Sequence, residues 1–218
     1  MEILEIKDLE TLAKKRVPKM FFDYVNSGSW TETTYNENVS DFQKIKLRQR
    51  VAIDMSNRTL ETKMINQPVS MPVAIAPTGL TGMQRADGEI LAAQAAEEFG
   101  IPYTLSTMSV CSIEAVAEKT KKPFWFQLYV MKDKKFMERL IDRAKEAKCS
   151  ALVLTLDLQL LGQRHKDLRN GLSTPPKLIP KHIYQVLTRP MWCLRMLTTK
   201  NHFFGNIVGH VEGIKDVR

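Results

Sequence analysis

Between residues 70 and 157, short apolar runs alternate with longer segments in which apolar residues recur every three or four positions. Short apolar runs between turn residues predict buried strands, whereas the helical period predicts amphipathic helices. The predicted strands cover residues 72–77, 102–106, 124–129 and 151–155, and the predicted helices cover residues 87–99, 112–119 and 133–148. Strands and helices that alternate at this spacing form right-handed βα units around a parallel sheet. Because the strands are apolar throughout, we expect both faces of the sheet to be covered.

The two ends of the chain are patterned differently. Asp8 is predicted to cap a helix over residues 9–16, and Pro18 suits the first turn of a second helix. Residues 45–54 alternate enough to predict a strand, and residues 158–218 show no further strand–helix unit. The predicted regions are a helical segment and lead-in at 1–70, the strands and helices at 71–157, and a long basic loop at 158–218.

Composition narrows the class of protein. The chain of 218 residues is 44% hydrophobic and 26% charged, values typical of a folded globular protein. Three cysteines are too few for a disulfide framework, so we expect a reducing, cytoplasmic environment. No stretch of 18 apolar residues occurs, and we therefore predict no membrane-spanning helix.

The net charge of +8 is concentrated toward the C-terminal end, where residues 168–211 contain no Asp or Glu. Basic residues mixed with Trp, Phe and Leu are typical of segments that bind a membrane interface. We therefore expect residues 177–204 to contact an anionic membrane surface; the alternative is that they pack on the protein itself or on a sister subunit. The basic residues concerned are Arg169, Lys177, Lys181, Arg189, Arg195 and Lys200.

Polar side chains follow the predicted strands where each one ends, which is the edge where βα folds place their sites. A doubly wound sheet and a (β/α)8 barrel both fit the pattern, and neither a GxGxxG nor a P-loop motif is present. Neutral donors and acceptors suit a planar heterocycle better than a metal, although each could also serve only to cap a loop. The strand-end residues are Ala76, Pro77, Thr78, Gly79, Ser106, Thr107, Gln127, Tyr129, Thr155 and Asp157.

A glycine-bounded basic loop, residues 162–171, follows the last predicted strand. Its Arg164 could grip a carboxylate through two parallel hydrogen bonds, because a guanidinium presents a planar fork of donors. The alternative is an ordinary solvated loop.

Five further strings accompany residues 155–157 (TLD) and 162–171 (GQRHKDLRNG). They are residues 24–28 (YVNSG), 74–79 (AIAPTG), 87–89 (DGE), 105–107 (LST) and 126–129 (FQLY). In this order, and over essentially the whole chain, they resemble the FMN-dependent α-hydroxy acid dehydrogenase/oxidase family. The resemblance implies a (β/α)8 barrel with an N-terminal helical segment, FMN as cofactor, and oxidation of L-2-hydroxy acids, with L-lactate as the first candidate.

The resemblance also assigns roles to residues. Tyr24 and Arg164 would hold the substrate carboxylate, Tyr129 would hydrogen-bond the substrate oxygen at the reacting carbon, and Asp157 would orient a catalytic histidine. The residues implied to contact the flavin are Ala76, Pro77, Thr78, Ser106, Gln127 and Thr155.

That catalytic histidine, and the loops that bind the FMN phosphate, belong in the family to the second half of the barrel, in motifs that this sequence does not contain. The resemblance therefore implies the first half of the enzyme, truncated after strand four. Two other interpretations stay open: a catalytically inert half-barrel, and a module that binds anionic surfaces. Expected partners are a small 2-hydroxy acid, no nucleic acid, a sister subunit in the full-length enzyme, and peripherally the inner membrane.

Overall fold

The computed structural model describes residues 2–157, 159–160, 162–172 and 179–209. Lys177 and residues 210–218 of the predicted loop lie outside the described residues. The helices are α1 (Ile6–Arg16), α2 (Lys19–Val25), α3 (Thr33–Ser40), α4 (Thr81–Gln84), α5 (Gly88–Phe99), α6 (Ile113–Lys119), α7 (Lys134–Glu146), α8 (His165–Asn170), α9 (Pro180–Leu187) and α10 (Pro190–Thr198), with a short 3-10 helix at Asp41–Lys44. The strands are β1 (Thr62–Met64), β2 (Gln67–Val69), β3 (Thr104–Ser106), β4 (Trp125–Tyr129) and β5 (Ala151–Thr155).

A three-stranded parallel sheet lies at the centre of the described residues, in the order β3-β4-β5. Thr104 pairs with Trp125, and Trp125 pairs with Ala151, so the three strands run in the same direction. Their carboxyl ends, at Ser106, Tyr129 and Thr155, therefore meet at one edge of the sheet. The predicted parallel arrangement and the positions of these strands are confirmed.

The strand predicted over residues 72–77 is reduced to a single parallel bridge between Ile75 and Tyr103. The amide of Ile75 donates to the carbonyl of Pro102 at 2.9 Å. Pro77 has no amide hydrogen, and the amide of Val73 donates to the carbonyl of Met71 at 2.8 Å, so neither residue extends the pairing. The bridge still directs residues 76–79 to the same edge of the sheet as the carboxyl end of β3.

The helices between the strands match their predicted positions because local capping groups define their ends. The Ser112 hydroxyl accepts from the amide of Ala115 at 3.1 Å at the start of α6, and Asp133 accepts from Phe136 at 3.0 Å at the start of α7. Gly100 ends α5 with φ 82°, in the left-handed region that glycine adopts without strain.

The first two helices begin differently from the prediction. α1 starts at Ile6, because Asp8 acts from the third helical position and its carboxylate accepts the amides of Leu4 and Glu5 at 2.8 and 3.1 Å. Pro18 is the cap of α2 rather than part of its first turn.

Side chains cover both faces of β3 and β4, whereas β5 is open on one face. Leu105 and Phe126 are fully buried, but Leu152 and Leu154 of β5 are 46% and 51% exposed. The prediction that both faces are covered is therefore wrong for β5. The described helices that follow β5 pack against α2 instead, so they leave this face of the strand open. Around Leu105 and Phe126 the core is completed by Ile113, Val116, Phe136 and Leu140.

The strand predicted over residues 45–54 is wrong. These residues form coil, with Ile45 and Leu47 at 68% and 96% exposure. An alternating pattern becomes a strand only beside a sheet edge, and no described strand pairs with this segment. The next paired backbone along the chain is the β1–β2 hairpin, whose turn places Ile65 and Asn66 at positive φ.

The prediction of one long loop at 158–218 is wrong, because this region contains the helices α8, α9 and α10. We call these three helices together the strap. The prolines at 180 and 190 occupy the first turns of α9 and α10, where a missing amide hydrogen costs nothing. No helix in the described part of the chain is long and apolar enough to cross a membrane.

The strap is bound to the N-terminal helices along its length. The side chain of Gln185 in α9 accepts from the amide of Met20 at 2.9 Å. Trp192 in α10 stacks on Phe21 with ring centroids 5.7 Å apart and donates to the carbonyl of Met83 at 2.8 Å. The strap is therefore a docked layer of the fold, with one side on α2 and α4.

Candidate functional site

Three of the strand-end residues form one hydrogen-bonded rim. The amide nitrogen of Gln127 donates to the Thr155 hydroxyl at 2.7 Å, and its side-chain oxygen accepts from the Ser106 hydroxyl at 3.2 Å. Gln127 is 1% exposed, so its amide is held in a fixed orientation. The carboxyl ends of β3, β4 and β5 are thus tied together by neutral groups.

The other predicted cofactor contacts lie on the loop after the Ile75 bridge. Ala76, Pro77 and Thr78 are exposed, and the loop is joined to the exit of β3 where the amide of Leu80 donates to the carbonyl of Met108 at 3.1 Å. A Cβ on Gly79 would lie 2.9 Å from the Tyr24 hydroxyl. The glycine therefore lets α2 bring that phenol up against the loop.

Arg164 is positioned by α2 and by its own helix. Its guanidinium carbon lies 4.7 Å from the centre of the Tyr24 ring, and Nη2 donates to the Ser27 hydroxyl at 2.9 Å and to the carbonyl of Tyr24. Nε lies 3.1 Å from Asp167 Oδ2 in an ion pair. The structure thus brings together the two residues predicted to hold the substrate carboxylate.

Asp167 is a functional candidate that sequence reasoning missed. Burial raises its pKa, the charge of Arg164 opposes that rise, and Asp23 adds to it. The signal in the sequence was its spacing, since a carboxylate three residues after an arginine on a helix lies on the same face.

Three buried residues, Asp23, Asn170 and His182, form hydrogen bonds beside the Arg164–Asp167 ion pair. Asn170 donates to Asp23 Oδ2 at 2.7 Å, and its carbonyl lies 2.7 Å from Nε2 of His182. All three residues are at most 7% exposed. His182 therefore joins α9 to α8 through a hydrogen bond. The sequence pattern did not predict this contact, because its two residues are 12 positions apart.

The phenols of Tyr24 and Tyr129 and the carboxylate of Asp157 share one neighbourhood. Burial raises the pKa of Tyr129 most, and the nearby Tyr24 and Asp157 raise it further. Burial also raises the pKa of Tyr24, against the lowering effect of Arg164. Both phenols therefore stay protonated at neutral pH and are available as hydrogen-bond donors. Asp157 itself is exposed.

The residues at this edge fit a flavin ring. An isoalloxazine ring presents neutral donors and acceptors along one side, and the rim of Ser106, Gln127 and Thr155 offers hydroxyls and an oriented amide. Arg164 packs against Tyr24, and Tyr24 lies near Tyr129. The positive charge of Arg164 suits a substrate that carries a carboxylate. The arrangement combines a neutral platform for a planar cofactor with an anion-binding corner.

This combination of a parallel βα sheet, a neutral rim and an anion-binding corner is that of a flavin-dependent α/β-barrel oxidoreductase. The sequence profile of the FMN-dependent dehydrogenases matches residues 13–215, and the chain belongs to that family. The predicted family and its FMN cofactor are confirmed.

Relatives at the sequence level include two bacterial enzymes. The L-lactate dehydrogenase of Acinetobacter baylyi is 44% identical over 220 residues, which cover 99% of this chain and 57% of the relative. The L-lactate dehydrogenase of Acinetobacter baumannii strain AYE is 45% identical over 213 residues, covering 96% of this chain and 55% of the relative. The chain thus spans little more than half the length of the curated relatives it matches.

Solved structures confirm the predicted fold class, part of an α/β barrel. A monotopic membrane protein, (S)-mandelate dehydrogenase, superposes with a TM-score of 0.89 at 30% identity, covering 99% of this chain and 58% of that one. A soluble mutant of the membrane-associated (S)-mandelate dehydrogenase from Pseudomonas putida gives a TM-score of 0.76 at 35% identity, covering 84% and 52%.

Proposed function

We propose that this chain supplies half of the active site of an FMN-dependent enzyme that oxidises L-2-hydroxy acids to 2-oxo acids, with L-lactate as the first candidate substrate. The observation that carries the proposal is the pairing of Arg164 with Tyr24 beside Tyr129 and the neutral rim. The 44–45% identity to two L-lactate dehydrogenases supports lactate over larger hydroxy acids.

Each residue then has a physical task in the reaction. Arg164 and Tyr24 bind the substrate carboxylate and fix the hydroxy acid in one orientation. Tyr129 donates a hydrogen bond to the oxygen on the reacting carbon, which its raised pKa allows because the phenol keeps its proton. Asp157 orients the group that accepts the hydroxyl proton.

The rim residues Ser106, Gln127 and Thr155, with Ala76, Pro77 and Thr78 on the neighbouring loop, would hold the flavin ring. When bound, FMN accepts the two electrons that leave the hydroxy acid. The protein contributes orientation and exclusion of water, and Gln127, at 1% exposure, is the most buried of these residues.

A chimera tests the proposal, because it lets these residues act within a complete barrel. Residues 1–218 are joined to the C-terminal remainder of the Acinetobacter baylyi relative. We expect a yellow protein in which L-lactate bleaches the flavin and reduces an artificial dye. A chimera that binds FMN but is not reduced by L-lactate or by other 2-hydroxy acids would favour the inert half-barrel.

Tyr129→Phe in this chimera is expected to lower kcat roughly 10-fold or more, since a hydrogen bond to the reacting oxygen is lost. Flavin content should stay unchanged, because the phenol is not part of the rim. Stopped-flow reduction of the flavin by L-lactate measures the effect, and Tyr184→Phe on the exposed side of α9 is the matched control. Loss of flavin from the Tyr129 variant would instead make this residue structural.

We also propose that the strap attaches the protein peripherally to an anionic membrane surface. Seven large apolar side chains on and beside α9 and α10 are each at least half exposed, and Lys181, Arg195 and Lys200 lie among them. A structural neighbour is described as a monotopic membrane protein, which supports peripheral membrane attachment of this chain. The apolar residues are Ile183, Tyr184, Leu187, Met191, Leu194, Leu197 and Phe203.

Vesicle co-sedimentation with an anionic lipid is expected to pellet the chimera at low salt and less of it at high salt. Each basic residue near the leaflet contributes about 1 kcal/mol. The triple variant Leu187→Ser, Leu194→Ser, Leu197→Ser should stay in the supernatant. Leu47→Ser serves as the control, because this leucine is 96% exposed and lies outside the strap. Equal pelleting of the triple variant would contradict attachment through these leucines, and no pelleting of the unmodified chimera at low salt would favour packing of residues 177–204 on a sister subunit.

A further inference from the structure

The segment that follows the strap returns into the core. Thr199 and Asn201 donate to Asp87 Oδ1 at 2.6 and 2.7 Å, which fixes the segment to the start of α5. The amide of Gly205 donates to the carbonyls of Ser109 and Val110. A Cβ at Gly205 would lie 2.7 Å from the Val110 carbonyl oxygen, so only glycine permits this approach.

Asn206, fully buried in this segment, makes contacts with both ends of its amide. Its Nδ2 donates to the Ser109 hydroxyl at 3.0 Å and to the carbonyl of Ser106 at 3.3 Å, at the exit of β3. Its Oδ1 accepts from the amide of Ile113 at 2.9 Å, at the first residue of α6. One side chain thus joins the exit of a strand to the start of the next helix.

The oxygen side of Asn206 is reinforced from α7. Arg143 reaches Oδ1 of Asn206 at 3.4 Å and its carbonyl at 3.2 Å, while binding Glu114 through two bonds of 2.6 and 2.8 Å. This pairing lowers the pKa of Glu114 to about 2. Helices α6 and α7 are therefore held together around the carbonyl side of the amide.

The nitrogen side leads directly to the rim. Ser106 accepts from Asn206 through its carbonyl and donates through its hydroxyl to Gln127, which in turn donates to Thr155. Four residues on four separate segments thus form one continuous hydrogen-bonded chain that ends at the proposed flavin contacts.

We infer that Asn206 is a positioning residue for the cofactor rim: its amide nitrogen sets the position of the β3 exit, and through Ser106 the orientation of Gln127. The inference rests on the proposed function, since that assigns the rim to the flavin. Asn206, which follows the strap in the chain, would thus help to fix the geometry of the rim.

The two ends of the amide can be tested separately. Asn206→Asp keeps a side-chain oxygen that accepts from Ile113 and Arg143, but it loses the hydrogen bonds that Nδ2 donates to Ser106 and Ser109. Asn206→Ala loses all of these side-chain hydrogen bonds. In the chimera, we expect Asn206→Asp to weaken FMN binding about 10-fold, because the displaced rim should lose the equivalent of one hydrogen bond to the flavin. The visible flavin spectrum should shift as well, because the rim changes its orientation around the ring.

Asn201→Ala is the matched control, because it breaks an anchor of the same segment at Asp87 and does not touch Ser106. It should leave the FMN dissociation constant and the flavin spectrum unchanged. Unchanged FMN affinity and spectrum in Asn206→Asp would overturn the inference and leave Asn206 as a purely structural link.

Amide hydrogen exchange tests the role of Asn206 independently of the proposed function, because it does not require bound flavin. If the unmodified chimera binds no flavin, the proposed function fails, and amide exchange of residues 106–112 in Asn206→Asp then decides on Asn206 alone. Faster exchange confined to these residues supports the positioning role. Exchange equal to that of the unmodified protein, or faster throughout the chain, contradicts it.

Discussion

A polypeptide of residues 1–218 alone is expected to purify without yellow colour and to leave an artificial dye unreduced in the presence of L-lactate. The first reason is the open sheet. Leu152 and Leu154 of β5, and Leu156 directly after it, are 46–66% exposed, and in the described part of the chain no strand pairs with the outer edge of β5. Exposed apolar edges of this kind favour aggregation or pairing with another chain.

The second reason is that no histidine in the described part of the chain is placed to accept the hydroxyl proton. His182 is engaged with the carbonyl of Asn170, His165 packs edge-on against Trp30, and His202 is exposed in the segment after the strap. His210 lies outside the described residues. Without a general base the reaction loses about 10²- to 10⁴-fold in rate, in addition to the effect of weak flavin binding.

Absorption spectroscopy and dye reduction, run beside the chimera as positive control, measure this outcome. A stoichiometric flavin spectrum that L-lactate bleaches in the 218-residue polypeptide would contradict the prediction. It would mean that other residues of this chain accept the hydroxyl proton and bind the FMN phosphate.

Arg164→Met in the chimera is expected to raise the KM for L-lactate and to lower kcat. Loss of a charge-assisted hydrogen bond to a carboxylate costs about 1.5–3 kcal/mol, or roughly 10- to 150-fold in kcat/KM. Arg164→Lys should restore only part of this, because an ammonium group cannot form the two parallel bonds of a guanidinium.

The control has to separate substrate binding from folding, since Arg164 also holds Ser27 and the backbone of Tyr24. Arg169→Met, on the exposed side of the same helix, removes a positive charge without disturbing those contacts. Flavin content and thermal unfolding of both variants show whether the fold survives. Near-normal kinetics in a folded Arg164→Met would remove this residue from the substrate site.

The sequence predicted well those parts of the fold whose signals are local. The apolar run of β5 and the capping residues Ser112 and Asp133 each act within a few positions of the chain, so pattern and structure agree. The strand ends followed from the same logic, because parallel strands bring their carboxyl ends to one edge whatever lies between them.

The parts that the sequence did not predict depend on partners far along the chain. The alternation at residues 45–54 lacks a sheet edge, and the strap packs on α2 and α4, which are far from it in sequence. Asn206 is 93 residues from Ile113 and 100 from Ser106, so no local pattern marks it as a contact of either. Asp167 was within reach of the helical period but was read only as part of a basic loop.

The docking of the strap has a consequence for the order of events during synthesis. α2 is made early, yet its partners Asn170 and Gln185 follow 147 and 165 residues later. At a translation rate of about 5–20 residues per second, Met20 and Phe22 wait roughly 7 to 33 seconds for the helices that cover them. The units from α5 to β5 close over short chain distances and fold in the meantime. The N-terminal helices thus leave the ribosome before β3, β4 and β5 but reach their native packing after these strands have formed.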